Sequence, residues 1–327
     1  MAVGTLPIFT GHNVRLDDGT QTLPSIGYTM DEHPVTRCVK RLVHMLYPDG
    51  FQGKTIIDVG CLEGDFTTEF ARMGMIATGV EVRESNYSNC LFVRDQVDLP
   101  NLDFIHGDAV DIAKFGQFDI FFVSGLLYHL DKPRKFLEDV AANCRKALIL
   151  CTHITHAAGN KASQIYSLSE LCENEGLFGR WYSEHGDMPR NELDLMRWAS
   201  WSNKKSFWIQ REYLLHLLKD IGFDLVFEQF DGMEDILGDM TQGFYHEADR
   251  VMLLAIKSGS YQLPGSLALQ RQFGHRRRND VDGRPSSAMT GWAAVVSQHT
   301  ACPTSGSRNV PYLTSQQPPA APARLPR

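Results

Sequence analysis

The chain lacks the sequence patterns that most often mark a nucleotide phosphate site. Its 327 residues contain no G-x-x-x-x-G-K-[ST] phosphate loop. They also contain no G-x-G-x-x-G, the fingerprint of nicotinamide dinucleotide binding after a strand. These two absences argue against a phosphate-loop nucleoside triphosphatase and against a dinucleotide-dependent dehydrogenase.

The chain also lacks paired cysteines and long apolar runs. Its seven cysteines are scattered and none forms a C-x-x-C pair, so we expect reduced thiols rather than a disulfide framework. No run reaches the roughly 18 apolar residues of a membrane-spanning helix. The first residues show neither the basic region nor the apolar core of a signal peptide. The sequence therefore predicts a cytoplasmic protein with no membrane segment.

Lysine and glutamate are absent from residues 258–327, which hold eight Arg and two Asp. This stretch carries a net charge of +6, and residues 1–257 carry −13 within a total of −7. Eight of the fifteen prolines also fall there, which predicts a disordered tail. The acidic body argues against general binding of nucleic acid, and the run Arg276 to Arg278 is more typical of a solvated charge cluster.

Residues 55–66 carry the most informative pattern of the chain. An apolar run ends at Asp58, a turn containing Gly60 and Gly64 follows, and a helical pattern comes next. A strand, a tight turn and a helix place a nucleotide-like ligand beside the strand's carboxyl end, where glycine lets the backbone approach the ligand. A second apolar run ends at Glu81, a carboxylate placed to accept hydrogen bonds from ribose hydroxyls. A plain loop would explain the glycines but not the two acids together.

Strands and helices alternate along the chain, which is typical of a parallel sheet with helices on both faces. One helix has Leu137 and Val140 on its apolar face and Asp131 as its candidate N-cap. The last two strands are joined by a loop rather than a helix, which favours an antiparallel pair. The predicted strands are 55–59, 75–81, 103–106, 118–123, 147–152, 224–230 and 250–256. The fold class is therefore α/β, with a doubly wound, seven-stranded, mostly parallel sheet.

Composition and periodicity divide the chain into three parts. Residues 1–50 form an N-terminal segment with a helix at 34–47, residues 51–257 form the main domain, and the tail follows. Within the main domain, residues 157–205 are polar and aromatic without a clean period. Aromatic side chains beside polar ones favour a lid over an organic substrate, and a small satellite core is the alternative.

The glycine turn and the two acids resemble motif I and the second acidic position of class I S-adenosylmethionine-dependent methyltransferases. The resemblance implies a Rossmann-like methyltransferase domain with S-adenosyl-L-methionine as cofactor. Leu62 stands where the family more often has a glycine. The resemblance also implies an acid near the adenine in the segment H-G-D-A, and a glycine beside the methionine part, after the fourth strand. The implied cofactor-binding residues are Asp58, Gly60, Cys61, Gly64, Glu81, Asp108, Ala109 and Gly125. A turn-forming role for Asp108 stays open.

Three side chains at predicted strand ends are candidates for catalysis. Tyr128 and His129 follow the fourth strand, and His153 follows the fifth. Histidine titrates near neutral pH and suits a general base that takes a proton from a hydroxyl. A structural role for His129 is an equal alternative. His153 and His156 have the spacing of a metal pair, but no carboxylates cluster near them in sequence, so no metal is expected.

Residues 125–133, G-L-L-Y-H-L-D-K-P, resemble a methyltransferase subgroup with the signature G-[VL]-L-Y-H-L-x-x-P. Its best-known member carboxymethylates the wobble uridine of tRNA, and its uncharacterised relatives share the signature. The resemblance covers roughly residues 10–257. The acidic body shows no basic groove, which weighs against tRNA, and we expect methyl transfer to a small organic acceptor at oxygen. The alternatives are modification of a wobble uridine and a catalytically silent cofactor-binding regulatory protein. The oligomeric state stays open.

Overall fold

The computed structural model describes residues 6–159, 166–196, 198–228 and 249–260. Within these residues, seven strands form one sheet and three more form a smaller sheet. The strands of the larger sheet are β1 (Thr55–Val59), β2 (Ile76–Glu81), β3 (Leu102–His106), β4 (Phe118–Ser124), β5 (Cys144–His153), β9 (Leu225–Glu228) and β10 (Arg250–Ile256). The ends of each strand differ from the predicted ends by at most three residues.

The larger sheet has the strand order β3-β2-β1-β4-β5-β10-β9. Strands β1 to β5 are parallel, and β10 is antiparallel to both of its neighbours. The order reverses between β1 and β4, and in such sheets a ligand binds at the carboxyl ends of the strands beside the reversal. The predicted doubly wound, mostly parallel sheet is confirmed, and the last two strands are antiparallel as expected.

Helices cover both faces of this sheet. They are α1 (Pro34–Leu46), α2 (Asp65–Arg72), α3 (Glu84–Asp95), α4 (Pro133–Asn143) and α6 (Arg211–Asp220). A further short helix, α5 (Arg190–Leu195), belongs to the inserted region. Successive strand residues pack in opposite cores, because side chains alternate along a strand. Ile56 lies in a core with residues of α1 and α2, and Ile57 lies in another core with residues of α4 and α6. The two cores hold the strand ends at fixed positions.

Two helix ends bear on the sequence predictions. The N-cap of α4 is Lys132, whose side chain makes no capping hydrogen bond, so the prediction of Asp131 as N-cap is wrong. The carboxylate of Glu175 instead accepts a bond from the Arg134 amide at 2.9 Å. Pro133 opens the helix, and proline has a preset φ and no N–H that would need a cap. The second helix end is the C-terminal end of α6. Gly222 follows this helix with a φ of +104° and ends it as predicted.

The region predicted as an insertion without regular structure contains the second sheet. Its strands are β6 (Cys172–Asn174), β7 (Leu177–Ser183) and β8 (Lys205–Ile209), all antiparallel. The sheet therefore extends past the predicted limit of residue 205. A Cβ at Gly179 would collide with the carbonyl oxygen of Trp208, so two backbones approach closely there. Short strands with irregular burial leave no two-residue period in the sequence, which is why these strands were not predicted.

Most of the predicted tail, residues 261–327, lies outside the described residues. Ser258–Ser260 form a short 3₁₀ turn after β10. Among the helices that the structure describes, none has the length and the apolar character that crossing a membrane requires.

Candidate active site

The loop between β1 and α2 holds three residues in the left-handed backbone region. Their φ angles are +77° at Gly60, +53° at Leu62 and +81° at Gly64. Glycine adopts this conformation readily, whereas a leucine there carries a steric cost. The Leu62 amide donates to Oε2 of Glu81 at 3.0 Å. The loop is therefore bonded to the acid at the end of β2.

Two of the predicted cofactor-binding acids are buried under this loop. Asp58 is 3% exposed and Glu81 is 5% exposed. The Thr67 hydroxyl donates to Asp58 at 2.7 Å, and the Arg83 amide donates to Glu81 at 2.8 Å. Burial disfavours the charged form of a carboxyl group. It raises the pKa of Asp58 to about 7 and also raises the pKa of Glu81.

A third buried acid, Asp65, was not predicted as a site residue. Nδ1 of His12 lies 2.7 Å from its Oδ1, while its Oδ2 is buried without a hydrogen-bond partner among the described residues. Burial raises the pKa of Asp65. Burial alone would lower the pKa of His12, but the carboxylates of Asp65 and Glu63 outweigh it and raise that pKa. The pair joins the N-terminal segment to the glycine loop, and no sequence spacing indicates it.

Glu63 holds the same N-terminal segment by its backbone. Its carboxylate accepts hydrogen bonds from the amides of Thr10 at 2.7 Å, Gly11 at 3.0 Å and His12 at 2.8 Å. The carbonyl of Ile8 accepts a further bond from the Asn89 side chain at 2.9 Å. Residues 8–12, hereafter the N-terminal strap, are therefore tied to the cofactor loop.

Cys61 has its thiol in the core rather than at the loop surface. Its Sγ lies 3.9 Å from the Sγ of Cys90, and both residues are buried. Burial raises the pKa of the Cys61 thiol well above its usual range. Only the backbone of this residue can face a ligand, so its predicted role in cofactor binding is limited to the main chain.

Asp108 and Ala109 follow β3, as predicted. Asp108 caps a short 3₁₀ turn, where its Oδ1 accepts a bond from the Val110 amide at 3.1 Å. Its other oxygen accepts a bond from the Ser202 hydroxyl. One oxygen of Asp108 therefore has the turn-forming role that was left open, and the other oxygen contacts the inserted region.

Gly125, Tyr128 and His129 follow β4. Gly125 has a φ of +75°, and its amide donates to the Cys151 carbonyl at 3.0 Å. The rings of Tyr128 and His129 lie 4.3 Å apart, and burial raises the pKa of Tyr128 to about 12. Nδ1 of His129 lies 2.9 and 3.0 Å from the two carboxylate oxygens of Glu184. The structure thus places an acid against the histidine that the sequence had selected.

His153 lies inside an aromatic cluster. It is 3% exposed, and its ring stacks on Trp208 with centroids 4.5 Å apart and planes 13° apart. The rings of Tyr128 and Tyr166 pack edge-on against it at 4.4 and 5.3 Å. His156 instead lies 3.5 Å from an oxygen of Asp249. Within the described residues, no group of three or more potential ligands is placed to hold a metal ion.

Residues 190–196 and 198–203 of the inserted region, hereafter the insertion cap, contact residues at the carboxyl ends of β2, β3 and β4. Arg83, after β2, donates to the carbonyls of Leu193, Met196 and Ala199 at 2.6, 2.9 and 2.6 Å. Asn203 donates to the carbonyl of His129 at 3.0 Å, and the Ser202 hydroxyl donates to Asp108. A lid over a substrate stays a prediction, and the buried cluster of Tyr128, Tyr166 and Trp208 is a small core of the kind given as the alternative.

The fold and the site together define a class of protein. The doubly wound sheet brings the glycine loop, Glu81 and Asp108 to one edge. Buried acids, with one unpartnered oxygen on Asp65, suit a ligand that has ribose hydroxyls, an amino group and positive charge. S-adenosyl-L-methionine has all three features, so the residues present fit the predicted cofactor.

The family follows from comparison with known proteins. Residues 31–228, more than half of the chain, match the family model described as a methyltransferase domain. The chain belongs to this family, whose members use S-adenosyl-L-methionine. The predictions of a methyltransferase, of its cofactor and of its Rossmann-like fold are confirmed.

Curated relatives match over part of their length. A ubiquinone biosynthesis O-methyltransferase from Maricaulis maris is 29% identical over 122 residues, which is 36% of this chain and 46% of the relative. A protein of the same name from Coxiella burnetii is 33% identical over 92 residues, 28% of this chain and 39% of the relative. The chain therefore spans less than half the length of the curated relatives it matches.

Solved structures share the fold. The N-terminal domain of EvdMO1 with SAH bound is 22% identical and superimposes with a TM-score of 0.51. The superposition covers 69% of this chain and 82% of that domain. The same domain in the presence of SAH and D-fucose is 21% identical, with a TM-score of 0.52 over 75% of this chain and 91% of that domain. At this identity the likeness concerns the fold alone.

Proposed function

We propose that this chain transfers a methyl group from S-adenosyl-L-methionine to a hydroxyl oxygen of a small organic molecule. The observation that carries this proposal is the position of His129. The residue follows Gly125 at the end of β4 and lies on the same edge of the sheet as the glycine loop and Glu81. In a doubly wound sheet that edge is where cofactor and acceptor meet.

In this proposal, different residues contact different parts of the cofactor. In this proposal Glu81 accepts bonds from the ribose hydroxyls, Asp108 lies toward the adenine amino group, and Gly60 and Gly125 let the methionine part approach the backbone. Asp65, with its unpartnered oxygen, suits the amino group. The bound cofactor supplies an electrophilic methyl group on a sulfonium sulfur.

His129 is the general base in this proposal. Its side chain is 16% exposed, so part of the ring reaches the edge of the site. The ring would take the proton from the acceptor hydroxyl, which would make the oxygen nucleophilic toward the methyl group that the cofactor supplies. Such base catalysis contributes about 10²–10⁴-fold. His153 is more deeply buried against Trp208, which favours His129 over His153.

Two further observations support a small acceptor and oxygen. The relatives from Maricaulis maris and Coxiella burnetii are named O-methyltransferases that act in ubiquinone biosynthesis. In addition, Tyr166 and Trp208 form an aromatic cluster with Tyr128, and the Tyr128 ring lies 4.3 Å from that of His129. Aromatic side chains beside a site suit an organic molecule.

Calorimetric titration with S-adenosylhomocysteine tests the cofactor half of the proposal. We expect Glu81→Ala to weaken binding at least tenfold, because hydrogen bonds to a carboxylate are each worth roughly 1.5–3 kcal/mol. Glu84→Ala is the matched control, since its exposed side chain lies just after β2 and should leave the affinity unchanged. Equal affinity of Glu81→Ala and wild type would refute the assignment.

Turnover with a panel of acceptors tests the other half. The panel contains 3,4-dihydroxybenzoate, D-fucose and unmodified tRNA, and the formation of S-adenosylhomocysteine is measured. We expect turnover with a hydroxyl compound, and a loss of at least tenfold in His129→Ala with cofactor affinity retained. Loss of cofactor binding in that variant would instead make His129 structural.

The alternative of a wobble-uridine-type enzyme stands on the signature at residues 125–133. Turnover with tRNA and none with the small acceptors would favour it. The silent regulatory protein is the third possibility, and it predicts cofactor binding at Glu81 without turnover on any acceptor.

A further inference from the structure

Glu184 is a buried carboxylate to which neither the sequence nor the proposed reaction gives a role. It directly follows β7 of the inserted sheet, and its side chain is 1% exposed. Both of its oxygens face Nδ1 of His129, at 2.9 and 3.0 Å. A buried acid at this distance from a proposed base bears directly on the state of that base.

Besides His129, two hydrogen-bond donors of the described residues contact the Glu184 carboxylate. The Ser200 amide donates to Oε2 at 3.0 Å, and the Ser206 hydroxyl donates to Oε1 at 2.5 Å. A carboxylate only accepts hydrogen bonds, so Nδ1 of the facing imidazole must carry a hydrogen. The other ring nitrogen, Nε2, is then an acceptor whenever His129 is neutral.

We propose that Glu184 is a positioning residue that holds His129 as the Nδ1–H tautomer, with Nε2 turned to the acceptor hydroxyl. This inference rests on the proposed function of His129 as the base. Glu184 itself touches neither acceptor nor cofactor in this scheme. It fixes which ring nitrogen takes the proton, and it stabilises the imidazolium that forms when the proton arrives.

The arrangement also explains what the inserted region contributes. Ser200 and Asn203 belong to the insertion cap, Ser206 lies on β8, and Asn203 holds the His129 backbone carbonyl at 3.0 Å. The base comes from the main sheet and its orienting acid from the insertion. The base is therefore correctly set only when the insertion is folded against the strand ends.

Long-range ¹H–¹⁵N NMR of the full chain reads the tautomer directly, without an acceptor. The His129 signals are assigned by their absence in His129→Gln. We expect the Nδ1–H form in the neutral wild type. In Glu184→Gln the amide oxygen stays with the Ser200 N–H and the amide nitrogen takes the other position that faces Nδ1. The amide nitrogen is a donor, so the Nδ1–H form should lose its dominance and the Nε2–H form should appear.

Glu175→Gln is the matched control. Glu175 lies at the turn between β6 and β7 and accepts a bond from the Arg134 amide at 2.9 Å, without contacting His129. It should leave the Nδ1–H form intact. A wild-type His129 in the Nε2–H form overturns the proposal, and this reading stands even if Glu184→Gln fails to fold. A folded Glu184→Gln in which the share of the Nδ1–H form equals that of the wild type overturns it as well.

Kinetics gives an independent reading with the best acceptor of the panel. In serine hydrolases, replacement of the orienting carboxylate by its amide lowers kcat about 10⁴-fold because the histidine adopts the wrong tautomer. We expect Glu184→Gln to lower kcat at least 100-fold, with KM and S-adenosylhomocysteine affinity unchanged and partial rescue in Glu184→Asp. An unchanged kcat overturns the role of Glu184. Failure of the wild type to bind S-adenosylhomocysteine would instead overturn the proposed function.

Discussion

At the scale of single residues, the site concentrates acids that water does not reach. Asp58, Asp65 and Glu81 are all buried beside the glycine loop, and burial raises the pKa of each. Burying a carboxylate without full compensation costs stability. A cationic ligand offsets that cost, so the unliganded site is adapted to bind positive charge rather than to stabilise the fold.

The pKa of Asp58 predicts how stability depends on pH. Folding raises this pKa from 3.8 to about 7, so the stability from the bound proton is present at low pH and is lost as pH rises through 7. Between pH 6 and pH 8 the loss is about 1.4 kcal/mol. The raised pKa values of Asp65, Glu81 and His12 act in the same direction.

Thermal melts of the cofactor-free protein check this. From pH 6 to pH 8 the wild-type Tm should fall by roughly 3–5 °C more than that of Asp58→Asn. Asp103→Asn, an exposed acid on β3, should behave as the wild type does. Identical pH dependence of wild type and Asp58→Asn would show that Asp58 does not titrate in this range.

At the scale of elements, two segments from outside the main sheet cover its carboxyl edge. The N-terminal strap is tied to the glycine loop by Glu63, and the insertion cap is tied to the end of β2 by Arg83. Both anchors are buried side chains that bind backbone groups. The two segments exclude water from the site, which strengthens each electrostatic contact inside it.

Glu63→Ala tests the N-terminal strap. The change removes the carboxylate that accepts bonds from the amides of Thr10, Gly11 and His12, and bonds to a charged acceptor are worth roughly 1.5–3 kcal/mol each. We expect the free energy of unfolding in urea to fall by more than about 3 kcal/mol, and trypsin to cut faster at Arg15 in the native protein. Glu138→Ala, an exposed acid of α4, serves as the control. Wild-type digestion of Glu63→Ala would mean that the strap is held by other contacts.

At the scale of the whole molecule, the reversed strand β10 completes the main sheet. It lies between β5 and β9, antiparallel to both. Just after it, Lys257 donates to the carbonyls of Ala141 and Cys144 at 2.6 and 2.7 Å, and the Ser258 amide donates to Asp224 at 2.7 Å. These contacts join the end of the sheet to both α4 and the region after α6.

A chain that ends at Ser260 keeps all of these contacts. Because the composition of residues 261–327 cannot build a core, we expect such a chain to melt within about 1 °C of the full-length protein and to bind S-adenosylhomocysteine with equal affinity. Differential scanning calorimetry and titration calorimetry measure the two quantities. A fall of several degrees would show that the C-terminal residues stabilise the domain.

The sequence by itself determined the sheet, the glycine loop and the cofactor class. These depend on patterns that are local in the chain: apolar runs, a turn rich in glycine, and an acid at the end of β1 and of β2. Asp58, Gly60 and Gly64 lie within seven residues of one another, so their geometry follows from the strand, turn and helix that they occupy.

The tertiary structure alone decided which side chains meet across the site. Glu184 reaches His129, His12 reaches Asp65 and Arg83 reaches the insertion cap only after distant segments fold together. No spacing in a single sequence encodes such contacts, because the packing of the two sheets and the strap brings them about. The same packing buried His153 against Trp208 and left His129 partly exposed at the edge of the sheet. The sequence could not distinguish these two environments, because both histidines come at the end of a predicted strand.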